Sequence, residues 1–160
     1  MSTMLPATPK TFGDIRHVFS SAFAALRGEK NQLGLPAAKQ AVVILVDGLG
    51  SHNIRERGGH APFLAASLKT GKSISAGFPT TTAASISSFA TGLSPSDHGI
   101  VAYKILDRLS GGVFNMLTGW GDDFPVAKWQ PHQTVSQKAL AAGIETNVIG
   151  ASEYATSGFT

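Results

Sequence analysis

Residues 41–48, Ala-Val-Val-Ile-Leu-Val-Asp-Gly, constrain this chain more than any other stretch. The run is too short for a helix, rich in β-branched residues and apolar throughout, which fits a central parallel strand buried on both faces. It closes on Asp47, followed by Gly48-Leu49-Gly50. Ligands of open α/β sheets bind at the carboxyl ends of strands, so this position sets a carboxylate at the lip of the sheet. The flanking glycines let a ligand or metal approach the backbone. An Asp in this position also serves as a helix cap or turn former, and its place in the sequence alone does not separate the two roles.

The rest of the chain alternates in the same style. Ile15, Val18, Phe19, Ala22, Phe23 and Leu26 have the three-four spacing of an amphipathic helix over residues 11–27, with Thr11 and Asp14 spaced as a capping box. Residues 28–39 mix Gly, Pro, Asn and charge and read as a loop. After the strand, residues 61–68 predict a helix, 73–78 a second strand, 82–91 a helix of small residues, and 98–105 an extended segment. Residues 133–142 predict a helix ended by Gly143, and 145–149 a returning strand. This order favours a three-layer α/β/α sandwich with a mainly parallel sheet. The final residues follow that strand with no covering helix, so we expect a domain that continues past the sequence given.

Composition is needed mainly to exclude. With 42% hydrophobic and 14% charged residues among 160, the chain is globular and long enough for one core. The net charge of +3 is scattered, with no basic run to track a nucleic acid or an anionic membrane. There is no Cys, so a metal would rest on Asp, His, Glu or hydroxyl ligands. The N-terminus has no basic segment followed by an apolar stretch and a small-residue cleavage site, and no apolar run is long enough to span a bilayer. A soluble cytoplasmic protein is the expectation.

A second chemical segment is Phe78-Pro79-Thr80-Thr81-Thr82-Ala83-Ala84-Ser85. Here a strand gives way to a hydroxyl-rich turn entering a helix, whose N-terminal N–H groups and partial positive charge suit a phosphate. A Thr hydroxyl there can attack phosphorus if a metal lowers its pKa, with adjacent N–H groups holding the developing charge. The plainer alternative makes one Thr the N-cap and the others filler. Paired with Asp47 at the end of a neighbouring strand, however, the segment supplies a carboxylate and a hydroxyl to one edge of a sheet.

Together, VVILVDGLG and FPTTTAASISSFATGLSPSDHGIV resemble the alkaline phosphatase superfamily, specifically its type I phosphodiesterase/nucleotide pyrophosphatase branch. The resemblance extends through Trp129-Gln130-Pro131-His132-Gln133-Thr134-Val135 and covers residues 35–160. It implies an alkaline phosphatase-like catalytic domain whose N-terminal part is residues 35–160, preceded by a helix and loop over 1–34. It also implies hydrolysis of a small-molecule phosphate ester or nucleotide by two zinc ions, roughly 3.5–4 Å apart, or by manganese. By position, Asp47 resembles a metal ligand and Thr82 the metal-bound nucleophile, with Thr81 as the register alternative. Thr91, Gly92, Pro95, His98 and Gly99 resemble a structural signature, and we read His98 as a packing and hydrogen-bonding residue. Thr as nucleophile, with no Cys to become formylglycine, argues against a sulfatase.

Two departures accompany the resemblance. Where this branch commonly carries an Asn after His-Gly to hold a phosphoryl oxygen, the chain has Ala102-Tyr103-Lys104, leaving Tyr103 or Lys104 as substitutes. The remaining Asp and His ligands of the branch lie beyond residue 160. His52, His60, Asp122, Asp123 and His132 show no ligand pair at helical spacing and are not taken as replacements. The 160 residues alone are therefore expected to be inactive, since one carboxylate holds zinc poorly. Two rival readings are a catalytically dead fragment and a metal-independent phosphate- or nucleotide-binding module. The third Gly of a Rossmann fingerprint is missing after Gly48-Leu49-Gly50.

Overall fold

The computed structural model describes residues 12–108, 110–122 and 124–154. The first regular element is α1, Arg16–Leu26, formed by the spacing that predicts it. It buries Ser21, Ala22 and Ala25, while Phe19 stacks on Phe89 with ring centroids 5.3 Å apart. Thr11 of the expected capping box lies outside the described residues. Asp14 does contribute at this end, its carboxylate accepting from the Arg16 N–H at 3.1 Å. At the other end Gly28 adopts φ +70°, and the N–H groups of Gly28 and Glu29 turn back to the carbonyls of Ala25 and Ala24. These are the paired bonds of a Schellman stop.

Two short helices follow, α2 (Ser51–Glu56) and α3 (Pro62–Thr70), which pack on each other and on no other regular element among the described residues. The helical core lies elsewhere. It consists of α1, α4 (Thr82–Thr91), α5 (Pro95–His98) and α7 (Val135–Ala141), with α4 touching the other three. Its buried positions are mostly small: Ala22, Ala25, Ala83, Ala84, Ser87, Ser88 and Ala139. Small side chains allow close helix approach but bury little apolar area per contact.

The larger apolar side chains gather around a hairpin. Strands β1 (Lys104–Leu106) and β2 (Val113–Asn115) pair antiparallel, with Lys104 opposite Asn115 and Leu106 opposite Val113. Against the hairpin lies a buried cluster of Ala83, Ile100, Met116 and Phe124. Phe124 stacks on Phe114 at 4.1 Å between centroids and also meets Trp120 and Trp129, the latter at the end of α6 (Val126–Trp129). The Trp120 indole N–H donates to the Met116 carbonyl at 2.8 Å, giving the polar edge of that ring a partner. Because Ala83 belongs to the cluster, the hairpin is fastened to the first turn of α4.

The chain is thus α/β, and its only sheet among the described residues is this two-stranded antiparallel one. The mainly parallel three-layer sheet of the sequence reading is not formed there. Residues 41–48 follow no strand ladder, and Val42 and Ile44 are 88% and 80% exposed. Residues 73–78 are reduced to a single parallel bridge between Ser75 and Asp14. Residues 145–149 also stay unpaired, with Val148 and Ile149 exposed. The physical reason is common to all three. A strand exists only with a hydrogen-bonded neighbour, and among the described residues the one segment bonded to any of these, 13–15 beside Ser75, is too short to make a ladder. The extended stretch expected over 98–105 instead begins at the end of α5 and yields strand only at β1.

Candidate functional site

The first turn of α4 is the best-defined chemical feature. Thr81 is its N-cap, with extended backbone at φ −72° and ψ 146°, and the Thr81 carbonyl accepts the Ser85 N–H at 2.9 Å. The Thr81 side chain makes no capping bond, and its Oγ1 is buried without a hydrogen-bond partner. Thr82 follows as the first helical residue and is half-buried, whereas Ala83 and Ala84 are fully buried. Thr81 and Thr82 are thus the partly accessible residues at the helix terminus, although the Thr81 hydroxyl oxygen itself is buried. Helix geometry leaves the first amides without intrahelical acceptors, so a hydroxyl and an amide dipole converge there.

Asp47 lies in a separate segment. Its carboxylate is exposed in a turn where Gly48 takes φ +71°, immediately before α2. Among the described residues no hydrogen bond joins Asp47 to Thr82, and α2 does not pack on α4. The sequence reading placed both at the ends of paired strands, and those strands are the ones left without ladders.

The signature between α4 and the hairpin proves to be a set of stops and starts. Thr91 Oγ1 donates to the Ser87 carbonyl at 2.7 Å and accepts from the Leu93 N–H, while Gly92 ends α4 at φ +74°. Pro95 occupies the first turn of α5, where its missing N–H costs nothing. The Ser94 hydroxyl and N–H both bond the Asp97 carboxylate, and these bonds, the hydroxyl's first, hold Asp97 below the usual carboxylate range. Gly99 closes α5 at φ +78°.

His98 is 2% exposed. Its Nε2 lies 2.9 Å from Ser88 Oγ, and its Nδ1 accepts the Ile100 N–H at 3.2 Å. An acceptor Nδ1 assigns the proton to Nε2, which donates to Ser88. Burial, above all, pushes the His98 pKa down from 6.5; Asp97 opposes that shift and His132 adds to it. A neutral, buried, doubly bonded imidazole is a structural residue, in accord with the sequence reading.

The remaining polar candidates are dispersed. His52 meets Glu56 one helical turn away at 3.3 Å, His132 Nε2 lies 3.2 Å from the Asp97 carbonyl oxygen, and His60 and Asp122 are exposed. Asp123 lies outside the described residues. Among the described residues no group of three or more His, Asp or Glu side chains is assembled to hold a metal ion. Asp47 and a threonine hydroxyl do not by themselves fit the four-coordinate demand of zinc.

One residue escaped the sequence reading. Asn115 Nδ2 donates to the Tyr103 hydroxyl at 3.0 Å, while its Oδ1 accepts the Leu117 N–H at 2.9 Å. The available signal was a lone amide inside the apolar run Val113-Phe114-Asn115-Met116-Leu117.

Residues 41–159 match the model of the family described as type I phosphodiesterase / nucleotide pyrophosphatase. Neither a curated protein nor a solved structure matches the chain. No described helix is long and apolar enough to cross a membrane.

Proposed function

Since the match spans most of its length, the chain belongs to the type I phosphodiesterase / nucleotide pyrophosphatase family, and from that premise we propose that it is the N-terminal part of a cytoplasmic, metal-dependent phosphate-ester hydrolase with Thr82 as nucleophile. The observation that carries the proposal is the half-buried Thr82 at the first turn of α4, beside the unpartnered Thr81 hydroxyl. A phosphate seated there meets a nucleophilic oxygen and a helix terminus together.

In this reading Thr82 Oγ forms a bond to phosphorus as the bond to the leaving oxygen breaks. The electron pair departs with that oxygen, and the hydroxyl proton ends on the leaving alcohol. Water then attacks the phosphothreonine, releasing phosphate or a phosphomonoester and restoring the hydroxyl. Asp47 is assigned as a metal ligand, and Thr82 as the second metal-contacting residue. The described residues do not complete a metal site, so the reading needs further ligands for a zinc or manganese pair from outside the described residues. The complete domain is then a three-layer α/β/α sandwich in which residues 41–48 acquire neighbours on both sides.

The dispersed His, Asp and Glu side chains among the described residues also favour a second reading, that these 160 residues alone are an inactive half-site. The test is to express the longest product of the gene and assay it with bis-p-nitrophenyl phosphate and zinc beside Thr82→Ala and Thr81→Ala. Zinc-dependent turnover lost in Thr82→Ala and kept in Thr81→Ala is the expected result. Loss only in Thr81→Ala moves the nucleophile by one residue. No turnover from a gene that stops at Thr160 leaves the half-site reading, and phosphate binding without metal would point to a binding module.

A further inference from the structure

We propose that residues 12–19 form a brace that positions Thr82 by holding the chain on both sides of it; this rests on the hydrolase reading above. On the incoming side the attachment is through the backbone. The Ile15 N–H donates to the Ser75 carbonyl and the Ser75 N–H donates to the Gly13 carbonyl, both at 2.9 Å. The Lys72 ammonium adds to this pairing, 3.8 Å from the centroid of the Phe12 ring. On the outgoing side Phe19 of α1 stacks on Phe89 of α4. Ser75 and Phe89 are thus fastened one helical turn apart on a single element, and Thr82 lies midway between them in sequence. The brace precedes the residues matched by the family model, 41–159, so the family assignment does not supply it.

The first turn of α4 needs such support. Its N-cap, Thr81, makes no side-chain bond to it, and a helix start whose amides lack acceptors is prone to fray. Ala83 and Ala84 hold the turn from within, and residues 76–81 hold it from the approach. That approach contains Gly77 at φ +85°, whose N–H donates to Ser75 Oγ at 3.0 Å. Ser75 is therefore the fixed point from which the chain enters the helix. The brace itself is stiff at this end. The Asp14 N–H donates to His17 Nδ1 at 3.1 Å, the Asp14 carboxylate accepts the Arg16 N–H, and the Asp14 carbonyl accepts the His17 N–H at 3.0 Å. A loop fastened at both ends to one rigid element has fewer conformations than a loop held at one end. In-line attack depends steeply on where the attacking oxygen sits, so this restraint bears on rate. Gly13 and Ile15 are positioning residues, acting through backbone atoms that do not touch the ester.

The experiment uses the longest gene product with zinc and bis-p-nitrophenyl phosphate, comparing wild type with Ile15→Pro, Ile15→Ala, Phe12→Leu and Thr82→Ala. Ile15 has φ −57° and follows a bridge residue, so proline fits its backbone while removing the N–H and placing a ring carbon in the path of the bond to Ser75. Ile15→Ala keeps the N–H and sets the baseline for the lost side chain. Ile15→Pro is expected to show a kcat about tenfold below Ile15→Ala, the scale of a small displacement of a reacting group, with KM little changed. Amide exchange should quicken over residues 75–83 in Ile15→Pro and stay as in wild type over α5 and α7, which separates misplacement from a general loss of folding. Phe12→Leu removes only the ring beneath Lys72 and is expected to lower kcat about twofold to threefold. It decides the outcome if Ile15→Pro does not fold. Equal kcat in Ile15→Pro and Ile15→Ala, with Thr82→Ala inactive, overturns this inference and leaves the hydrolase reading standing. So does Phe12→Leu turnover equal to wild type when Ile15→Pro does not fold. Absence of wild-type turnover overturns the hydrolase reading and this inference with it.

Discussion

Ser88 Oγ and His98 Nε2 lie 2.9 Å apart in the interior, joining the middle of α4 to the end of α5. The pair has the separation of a nucleophile and its base, but the proton lies on the wrong nitrogen for that role. With Nδ1 occupied by the Ile100 N–H, Nε2 donates to Ser88 and cannot remove its proton. Ser88→Ala should therefore destabilise the fold by about 1–3 kcal/mol, the cost of stranding a buried donor. Urea unfolding measures the loss. In the full gene product, turnover per folded molecule should be unchanged.

The same imidazole predicts a pH dependence of stability. Its folded pKa is depressed below 6.5, so between that value and 6.5 the unfolded chain binds a proton that the folded chain refuses. Stability then falls as pH drops below 6.5, and this contribution levels off beneath the folded pKa. Asp97 acts in the same direction but lower, its contribution being present above 3.8 and lost as pH falls through its depressed folded value. Urea midpoints measured from pH 7.5 downward should decline, and His98→Gln should remove the first part of the decline while keeping the second.

Met116 is the fully buried side chain that ties the hairpin to α4. Met116→Ala should cost about 2–5 kcal/mol, as expected for a large-to-small change that leaves a cavity. Trp120 packs on this cluster and bonds the Met116 carbonyl, so its fluorescence reports the loosening. A red shift of emission before global unfolding is the expected signature.

Thr134 and Gln137 form a reciprocal cap on α7, with the Gln137 N–H donating to Thr134 Oγ1 at 3.2 Å and the Thr134 N–H donating to Gln137 Oε1 at 2.9 Å. Thr134→Ala should cost about 1 kcal/mol and Thr134→Ser much less. Comparing their urea midpoints checks both.

The unpaired residues 41–46 predict a sticky surface. The largely exposed Val42 and Ile44 line an apolar groove together with Val18, Ala22, Leu33 and Leu35. Purified as 160 residues, the chain should enhance the fluorescence of 1-anilinonaphthalene-8-sulfonate and self-associate with rising concentration, because open apolar edges recruit partners. Ile44→Lys should reduce both, read by dye titration and light scattering.

Local signals were legible and distant ones were not. Helix α4 runs over the residues that its small-residue pattern marks, Thr82–Thr91, and α7 ends where Gly143 takes φ +75°. Both depend on bonds within a few residues. The runs at 41–48, 73–78 and 145–149 have strand composition, but strand formation depends on neighbours that composition does not name. The two candidate residues divide along the same line. Thr82 sits at the helix start where the sequence puts it, whereas Asp47 was to reach it through a sheet whose ladders do not form among the described residues. Asn115 was missed because its role depends on a phenol twelve residues away across a hairpin.

The alanines around α4 have a consequence for how this molecule tolerates change. Contacts made of methyl groups and hydroxyls grip weakly and leave no slack, so the helix carrying Thr82 is located by closeness rather than by strength of attachment. Enlarging Ala83 or Ala84 leaves the added atoms nowhere to go except by shifting the helix, and Thr82 shifts with it. Mutational drift along this face is therefore confined to residues as small as those already present, while the aromatic side of the hairpin has far more latitude in volume.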